Sequence, residues 1–254
     1  MKPYTFGVAD YDRQQAERAA IPTFVVVPVR NAGDPVPAAE LVPGVAGIIA
    51  VPNRDGEPVN IPAKWNRGSE WAGAEATAEG FARWNVLYVN DDVDLGHVPE
   101  TVATLNDTLR CDPSHAVAYP NIHGIPGDGV VATHSDEMAG QTLSGYCFML
   151  RGEEGFRFDE DLPWFYSDSA LECLVRRSGR RVVCALGARI DHLRPMESTL
   201  SDPALLEQAI KDEALFADRY GFDPSTLFLA RNPELVDRSR HIGESEVTGS
   251  GGSL

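Results

Sequence analysis

A chain of 254 residues with 43 % hydrophobic and 24 % charged side chains has the makeup of a globular protein, able to bury a sizeable core in one large domain or two small ones. Its 22 Lys and Arg against 38 Asp and Glu leave a net charge of −16, which argues against a DNA or RNA partner, because displacing counterions from phosphates needs cationic surface. No apolar run reaches the roughly 18 residues of a membrane span, and the start MKPYTFGVADYDRQQAERAA has neither the basic head nor the apolar centre of a secretory signal, so a soluble cytoplasmic protein is expected.

Residues 1–21 form a polar, helix-prone N-terminal extension. TFVVVPVRN (23–31) then supplies an apolar, β-branched run ending at Pro28, and GVAGIIAVPN (44–53) repeats the pattern. Runs of this kind read as strands buried on both faces, as in parallel sheets. The Ala- and Glu-rich GSEWAGAEATAEGFARW (68–84) predicts a helix, and NVLYV (85–89) a third strand. PETVATLNDTLR (99–110) predicts a helix with Pro99 in its first turn, and AVAYP (116–120) a short strand. The Gly-rich segment 121–142, which carries His123 and His134, reads as an irregular loop or hairpin, with both histidines more in keeping with packing or solvation than with metal binding.

Order returns with LSGYCFMLR (143–151) as a strand, FRFDEDLPWFY (156–166) as an aromatic and acidic loop, and SALECLVRRSG (169–179) as a helix. In that helix Ser169 and Glu172 have capping-box spacing and Gly179 is the stop. RVVCALGARIDH (181–192) returns to strand, and SDPALLEQAIKDEALFADRYG (201–221) predicts an amphipathic helix between Pro203 and Gly221. The segment 196–240 is expected to pack on the preceding domain, and 241–254 to be a flexible tail. Cys111, Cys147, Cys173 and Cys184 show no CxxC spacing, so neither a zinc site nor a disulfide framework is indicated. The dense basic run RRSGRR (176–181) reads as a solvated helix end. Strand and helix in alternation predict an α/β sandwich with a mainly parallel sheet, whose ligands sit beyond the carboxyl ends of its strands.

Two chain segments meet that description: PVRN after the first strand and NDDVD after the third. The second places Asp91, Asp92 and Asp94 within four positions. Like charges this close repel unless water or a cation compensates them. A solvated turn is the plain reading, and the position at a ligand edge moves the cluster toward a site.

Three stretches together resemble glycosyltransferase family 2 and its inverting relatives of the A-type (GT-A) fold. FVVVPVRN resembles the family's first strand and nucleotide-contacting residues, and NVLYVNDDV its strand ending in a DxD-type motif. LSGYCFMLRGEEGFRFDEDLPWFYSDSALECLVRRSGRRVVCALGARIDH resembles, in order and spacing, a Gly-containing strand, an FDE turn, an acidic pair, a helix ending in Gly and a strand ending in His. The resemblance spans residues 22–195. It departs from the family pattern where Asn90 stands for the first Asp of the motif, where Ser167-Asp168 stands for Glu-Asp, and where Ala170 and Leu174 stand for a further Asp and Arg.

What the resemblance implies is a metal-dependent inverting glycosyltransferase, moving a sugar from a UDP-, GDP- or dTDP-sugar to a hydroxyl of a glycan, protein or small molecule. Carboxylates suit hard Mn²⁺ or Mg²⁺, with diphosphate oxygens and water completing the shell. Asp92 is the expected metal ligand, His192 a second, and Asp94 a weaker third or a solvated acid. Pro28, Val29, Arg30, Asn53, Arg67, Asn90, Asp91 and Gly145 are the expected donor-binding residues, with Asp91 placed to reach a ribose hydroxyl. Asp168 is the candidate general base, an N-cap being its structural alternative. Trp164 is a candidate platform for the acceptor, or a core residue. Two other readings stay open: a non-catalytic nucleotide-sugar or glycan binding module of the same fold, and a nucleotidyltransferase.

Overall fold

In the computed structural model, residues 21–34, 36, 45–54, 56–94, 98–121, 129–132, 143, 145–192 and 202–221 are described. The lead-in 1–20, His123, His134 and the tail beyond 221 lie outside them. The first apolar run forms strand β1 (Thr23–Pro28), every residue buried, and the second forms β2 (Val45–Val51). Helix α1 (Ile61–Ala78) begins and ends earlier than the expected 68–84. Its start is set by Asn60, whose side chain accepts the Ala63 N–H at 2.9 Å, and by a Pro in the first turn. Those signals lie in NIPAKW, a short stretch that shows no helical period by itself. The chain leaves the helix through Gly80, at a left-handed φ of 75°.

Strand β3 (Asn85–Val89) follows, then the two-residue β4 (Val93–Asp94), helix α2 (Val98–Cys111), strand β5 (His115–Pro120) and the short β6 (Val130–Ala132). Strand β7 (Cys147–Arg151) starts four residues later than expected, because Gly145 and Tyr146 form a turn ahead of it. After α3 (Ser167–Arg177) and β8 (Arg181–Ala185), the predicted strand 181–192 breaks, and Asp191–His192 returns as a separate β9. Helix α4 (Pro203–Tyr220) runs from an Asp202 cap to Gly221, as its end signals predict.

Seven strands form one sheet in the order β2-β1-β3-β7-β5-β8-β6. β1 runs parallel to β2 and β3, and β5 parallel to β8, while β7 and β6 run against their neighbours. The fold is α/β, and the sheet is mixed rather than mainly parallel: three of its pairings are parallel and three antiparallel, because β7 and β6 run against the other strands. Alternation along the strands divides its faces. Phe24, Val26, Tyr88, Phe148 and Cys184 pack with Trp65 and Ala72 of α1 and Leu171 of α3 on one side. Val25, Leu87, Met149 and Val183 pack with Val102, Leu105 and Leu109 of α2 on the other. Among the described residues, no helix is long and apolar enough to cross a membrane.

Reversing β7 between parallel neighbours brings the segment before it, Gly145–Tyr146, to the same edge as the carboxyl ends of β1 and β3. The Asn90 N–H donates to the Tyr146 carbonyl at 2.9 Å and fastens the two together. β4 and β9 pair antiparallel as a second, two-stranded sheet.

The closeness of α1 to β1 depends on Gly68, where a Cβ would stand 2.3 Å from Cγ1 of buried Val26. Gly68→Ala gains about 1 kcal/mol of helix propensity but must push apart a stiff β-branched contact. A typical overpacking cost of roughly 1–3 kcal/mol, less that gain, leaves an expected net loss of up to about 2 kcal/mol of unfolding free energy, measured by urea titration.

Candidate active site

The carboxyl ends of β1, β2 and β3 make one wall. The Val29 N–H donates to Val51 O at 3.0 Å, and the Asn53 N–H to Arg30 O at 3.4 Å, so the ladder continues past both strands and holds Arg30 beside Asn53. Pro28 and Val29 are buried, while Arg30 is exposed at the mouth. Arg67 reaches up from α1 and its Nη2 donates to Pro52 O at 3.2 Å. Among the described residues, its Nε and the Oδ1 of Asn53 are buried atoms without a hydrogen-bond partner. A buried, unsatisfied polar atom costs free energy unless a ligand or water meets it. Here an acceptor of that kind belongs to Asn53, and a donor to the side chain that holds the carbonyl of the residue before it.

Sequence reasoning missed Lys64. One turn before Arg67 on α1, it is 4 % exposed, and its Nζ donates to Val29 O at 2.7 Å. Burial pushes its ammonium down to about 8, opposed by the charge of Asp91 and reinforced by Arg67 and Arg30. Asp91, Arg67 and Arg30 are thus each near enough for their charge to act on Lys64. The signal available in the sequence was a Lys three residues before an Arg in a segment adjacent to a strand end, which a surface helix displays as often.

The acidic cluster is a turn and part of the site at once. Asp91 and Asp92 occupy a turn closed by the Val93 N–H donating to Asn90 O at 3.3 Å. Asp91 is exposed, Asp92 half-buried. The β4–β9 register then sets Val93 opposite His192 and Asp94 opposite Asp191. His192, a hundred residues further along the sequence, therefore shares a ladder with the acidic motif. Asp191 was not anticipated. Carboxylate and imidazole are donor types that suit a hard cation of this kind. The residue types at these positions therefore fit Mn²⁺ or Mg²⁺. Among the described side chains no three carboxylates, imidazoles or thiols converge, so the backbone juxtaposition is what fits, with diphosphate oxygens needed to complete a shell.

Asp168 lies on the opposite wall. Helix α3 begins at Ser167, so Asp168 is inside its first turn and the cap position belongs to Tyr166; the N-cap alternative does not hold. Likewise Ser169 and Glu172 make no capping box: Glu172 is buried, pairs with Arg176 and accepts the Leu143 N–H at 3.2 Å. The Asp168 Oδ1 accepts the Ser169 N–H at 2.8 Å. Burial pushes its carboxyl up to about 6, with Glu172 adding like charge and N–H groups of Ser169 and Gly145 pulling back. Gly145 is where the two walls touch. A Cβ there would lie 3.1 Å from Asp168 Oδ2, so the missing side chain is what admits the carboxylate beside the turn that holds Asn90. Trp164, half-buried, sits four residues earlier on the loop leading into α3.

No protein-family model matches the chain, and no curated protein matches its sequence. Solved structures of glucosyl-3-phosphoglycerate synthase from Mycobacterium tuberculosis are similar in shape. The complex with Mg²⁺ and UDP is 15 % identical with a TM-score of 0.48, and covers 85 % of each chain. The complex with Mn²⁺, UDP-glucose and phosphoglyceric acid is 17 % identical with a TM-score of 0.49, again over 85 % of each chain. The complex with Mn²⁺, UDP-glucose and glycerol 3-phosphate is 14 % identical with a TM-score of 0.47 over the same share. A likeness this shallow establishes no activity, and the reading below stands on the chain's own residues.

The basic run at 176–181 has its charges committed within the protein. Arg176 pairs with Glu172, Arg177 lies 5.3 Å over the Tyr220 ring, Arg180 pairs with Glu154, and Arg181 stands 3.6 Å from Asp112. That agrees with the solvated helix end expected from sequence rather than with a nucleic-acid groove.

The raised carboxyl of Asp168 predicts a pH signature. Folded Asp168 holds its proton to about 6 against an ordinary 3.8, so the folded state binds more protons across that window and loses stability as pH rises through it. Asp168→Asn removes this contribution. The melting temperature of the Asn protein should gain on wild type between pH 4 and 6 and keep a constant lead above; a lead independent of pH would show Asp168 to be unperturbed.

Proposed function

We propose that this chain is a metal-dependent inverting glycosyltransferase whose donor is a uridine-diphosphate sugar. The observation that carries the proposal is the pair of buried, unpartnered atoms at the first wall, Asn53 Oδ1 and Arg67 Nε. An acceptor beside a donor complements a base edge that presents N–H beside C=O. With Asn53 Oδ1 set against the ring nitrogen, uracil, thymine and guanine would supply the N–H it accepts; cytosine and adenine have a bare ring nitrogen at that point and would have to offer their exocyclic N–H in another register.

From this anchor the diphosphate would run along Arg30, Lys64 and Arg67 toward Asp92, with Asp91 at the ribose. Asp92, His192 and Asp94 would hold Mn²⁺ or Mg²⁺, which supplies charge stabilisation for the departing diphosphate. Asp168 faces the pocket from the other wall and takes the proton of the attacking hydroxyl, so that the acceptor oxygen enters opposite the leaving group and the anomeric centre inverts. A carboxyl near 6 is ionised at neutral pH yet more basic than an ordinary one, which suits the task. Trp164 offers an apolar surface for an acceptor at that mouth.

Titration calorimetry with UDP, CDP, ADP and GTP, with and without Mn²⁺, tests the donor reading. UDP should bind only with metal and at least ~10-fold tighter than CDP, which differs from it on the recognised edge alone. Preference for GTP would indicate nucleotidyl transfer, and no binding of any nucleotide would end both readings. Asp92→Asn should weaken metal-assisted UDP binding far more than Asp94→Asn; equal losses would reassign the ligands. Asp168→Asn should leave UDP affinity within about 2-fold and lower sugar transfer ~10²–10⁴-fold, measured as UDP released from UDP-sugars over a panel of hydroxyl acceptors.

A further inference from the structure

The loop 158–166, which delivers both Trp164 and the start of α3, has almost no regular structure of its own, yet it is tied down at nearly every residue. Helix α1 holds its first half. Asn66 brackets Phe158, accepting its N–H at 2.9 Å and donating to its carbonyl at 3.0 Å. Asn60 Nδ2 donates to Glu160 O at 2.8 Å, and the Ile61 N–H to Pro163 O at 2.9 Å.

Helix α4, beyond the segment that resembles glycosyltransferases, holds the second half. Asp212 is 1 % exposed, and its Oδ2 accepts the N–H groups of both Trp164 (3.3 Å) and Phe165 (2.8 Å). Its Oδ1 accepts from Gln208 at 2.6 Å, which fixes the carboxylate plane. One turn on, Phe216 is fully buried beneath the Tyr166 ring at 6.0 Å, and Arg219 pairs with Asp159 and Asp161. Tyr166 is, among the described residues, the one non-glycine residue with a left-handed backbone, φ 62°. That conformation is unfavourable for a side chain with a Cβ and persists only where its surroundings enforce it. It turns the chain so that α3 starts with Ser167-Asp168 against Gly145. The groups enforcing it are Asp212, through the two preceding amides, and Phe216, through the ring.

Resting on the glycosyltransferase reading above, we infer that Asp212 is a positioning residue for the transfer reaction: through the Trp164 and Phe165 amides, α4 holds the acceptor loop and sets where Asp168 stands. α4 is then part of the catalytic apparatus, although none of its residues touches a substrate. Donor recognition is built on β1, β2 and α1, and α1 holds the other half of the loop through its own hydrogen bonds.

The test uses the full chain with Asp212→Ala and the conservative Asp212→Asn, whose remaining oxygen still accepts from the two amides. Hydrogen exchange needs no ligand: in Asp212→Ala, amides 164–168 should exchange at least ~10-fold faster while those of β1 and β3 stay protected. Transfer from UDP-glucose should fall about 10–100-fold with Mn²⁺-dependent UDP affinity unchanged, and Asp212→Asn should recover most of both losses. Unchanged exchange at 164–168, or a loosened loop with transfer kept within about 2-fold of wild type, overturns the inference. An equal loss in the Asn variant, or loss of UDP affinity in step with transfer, shows a merely structural role and overturns it too. Failure of wild type to bind UDP strikes the donor reading alone, and the exchange measurement still decides whether Asp212 governs the loop.

Discussion

The contact between Gly145 and the Asp168 carboxylate is the constraint on which the site depends. On one side of it, Tyr146 accepts the Asn90 N–H, so the turn ahead of β7 is locked to the acidic end of β3. On the other, Asp168 is fixed by the Ser169 amide and the first turn of α3. The two walls can close to this distance because residue 145 has no side chain and because β7 runs against β3, which carries its entry turn to the ligand edge. Burial between them raises Asp168, the property a proton acceptor working near neutral pH requires.

Polar groups are divided between two kinds of employment. Arg176, Arg180, Asn66, Asn60 and Asp212 are consumed in holding one part of the backbone to another. Asn53 Oδ1 and Arg67 Nε are buried with nothing to bind, and Lys64 is buried with its ammonium held low. Proteins leave such groups unsatisfied where a ligand will satisfy them, since the cost is otherwise uncompensated. Asn53, Arg67 and Lys64 all sit at the carboxyl edge of β1 and β2, where an open sheet of this topology binds its ligands. The net charge of −16 does not contradict a phosphate ligand, because the local field at that edge is set by Arg30, Lys64 and Arg67 against Asp91.

Local pattern by itself determined the buried strands, the amphipathic α2 and α4 with their Pro and Gly ends, and the α/β class, because burial period and end signals act over a few residues. It also marked the acidic run of Asp91, Asp92 and Asp94, which is visible after an apolar strand without a fold, whereas Asp168 and His192 were singled out only through the family resemblance. It misplaced α1 by seven residues, where capping by Asn60 outweighed an Ala-rich pattern. What tertiary structure alone decided were the relations between segments. Asp94 meets Asp191 through a ladder bridging nearly a hundred residues, Lys64 turns inward to a carbonyl of β1, Gly145 makes room for Asp168, and Asp212 reaches back to two amides 47 and 48 positions away. A lysine, a glycine or an aspartate on a helix carries no local mark of such a partner. Its role exists only once packing of the sheet has chosen which backbone groups it faces, and that choice is a property of the whole chain.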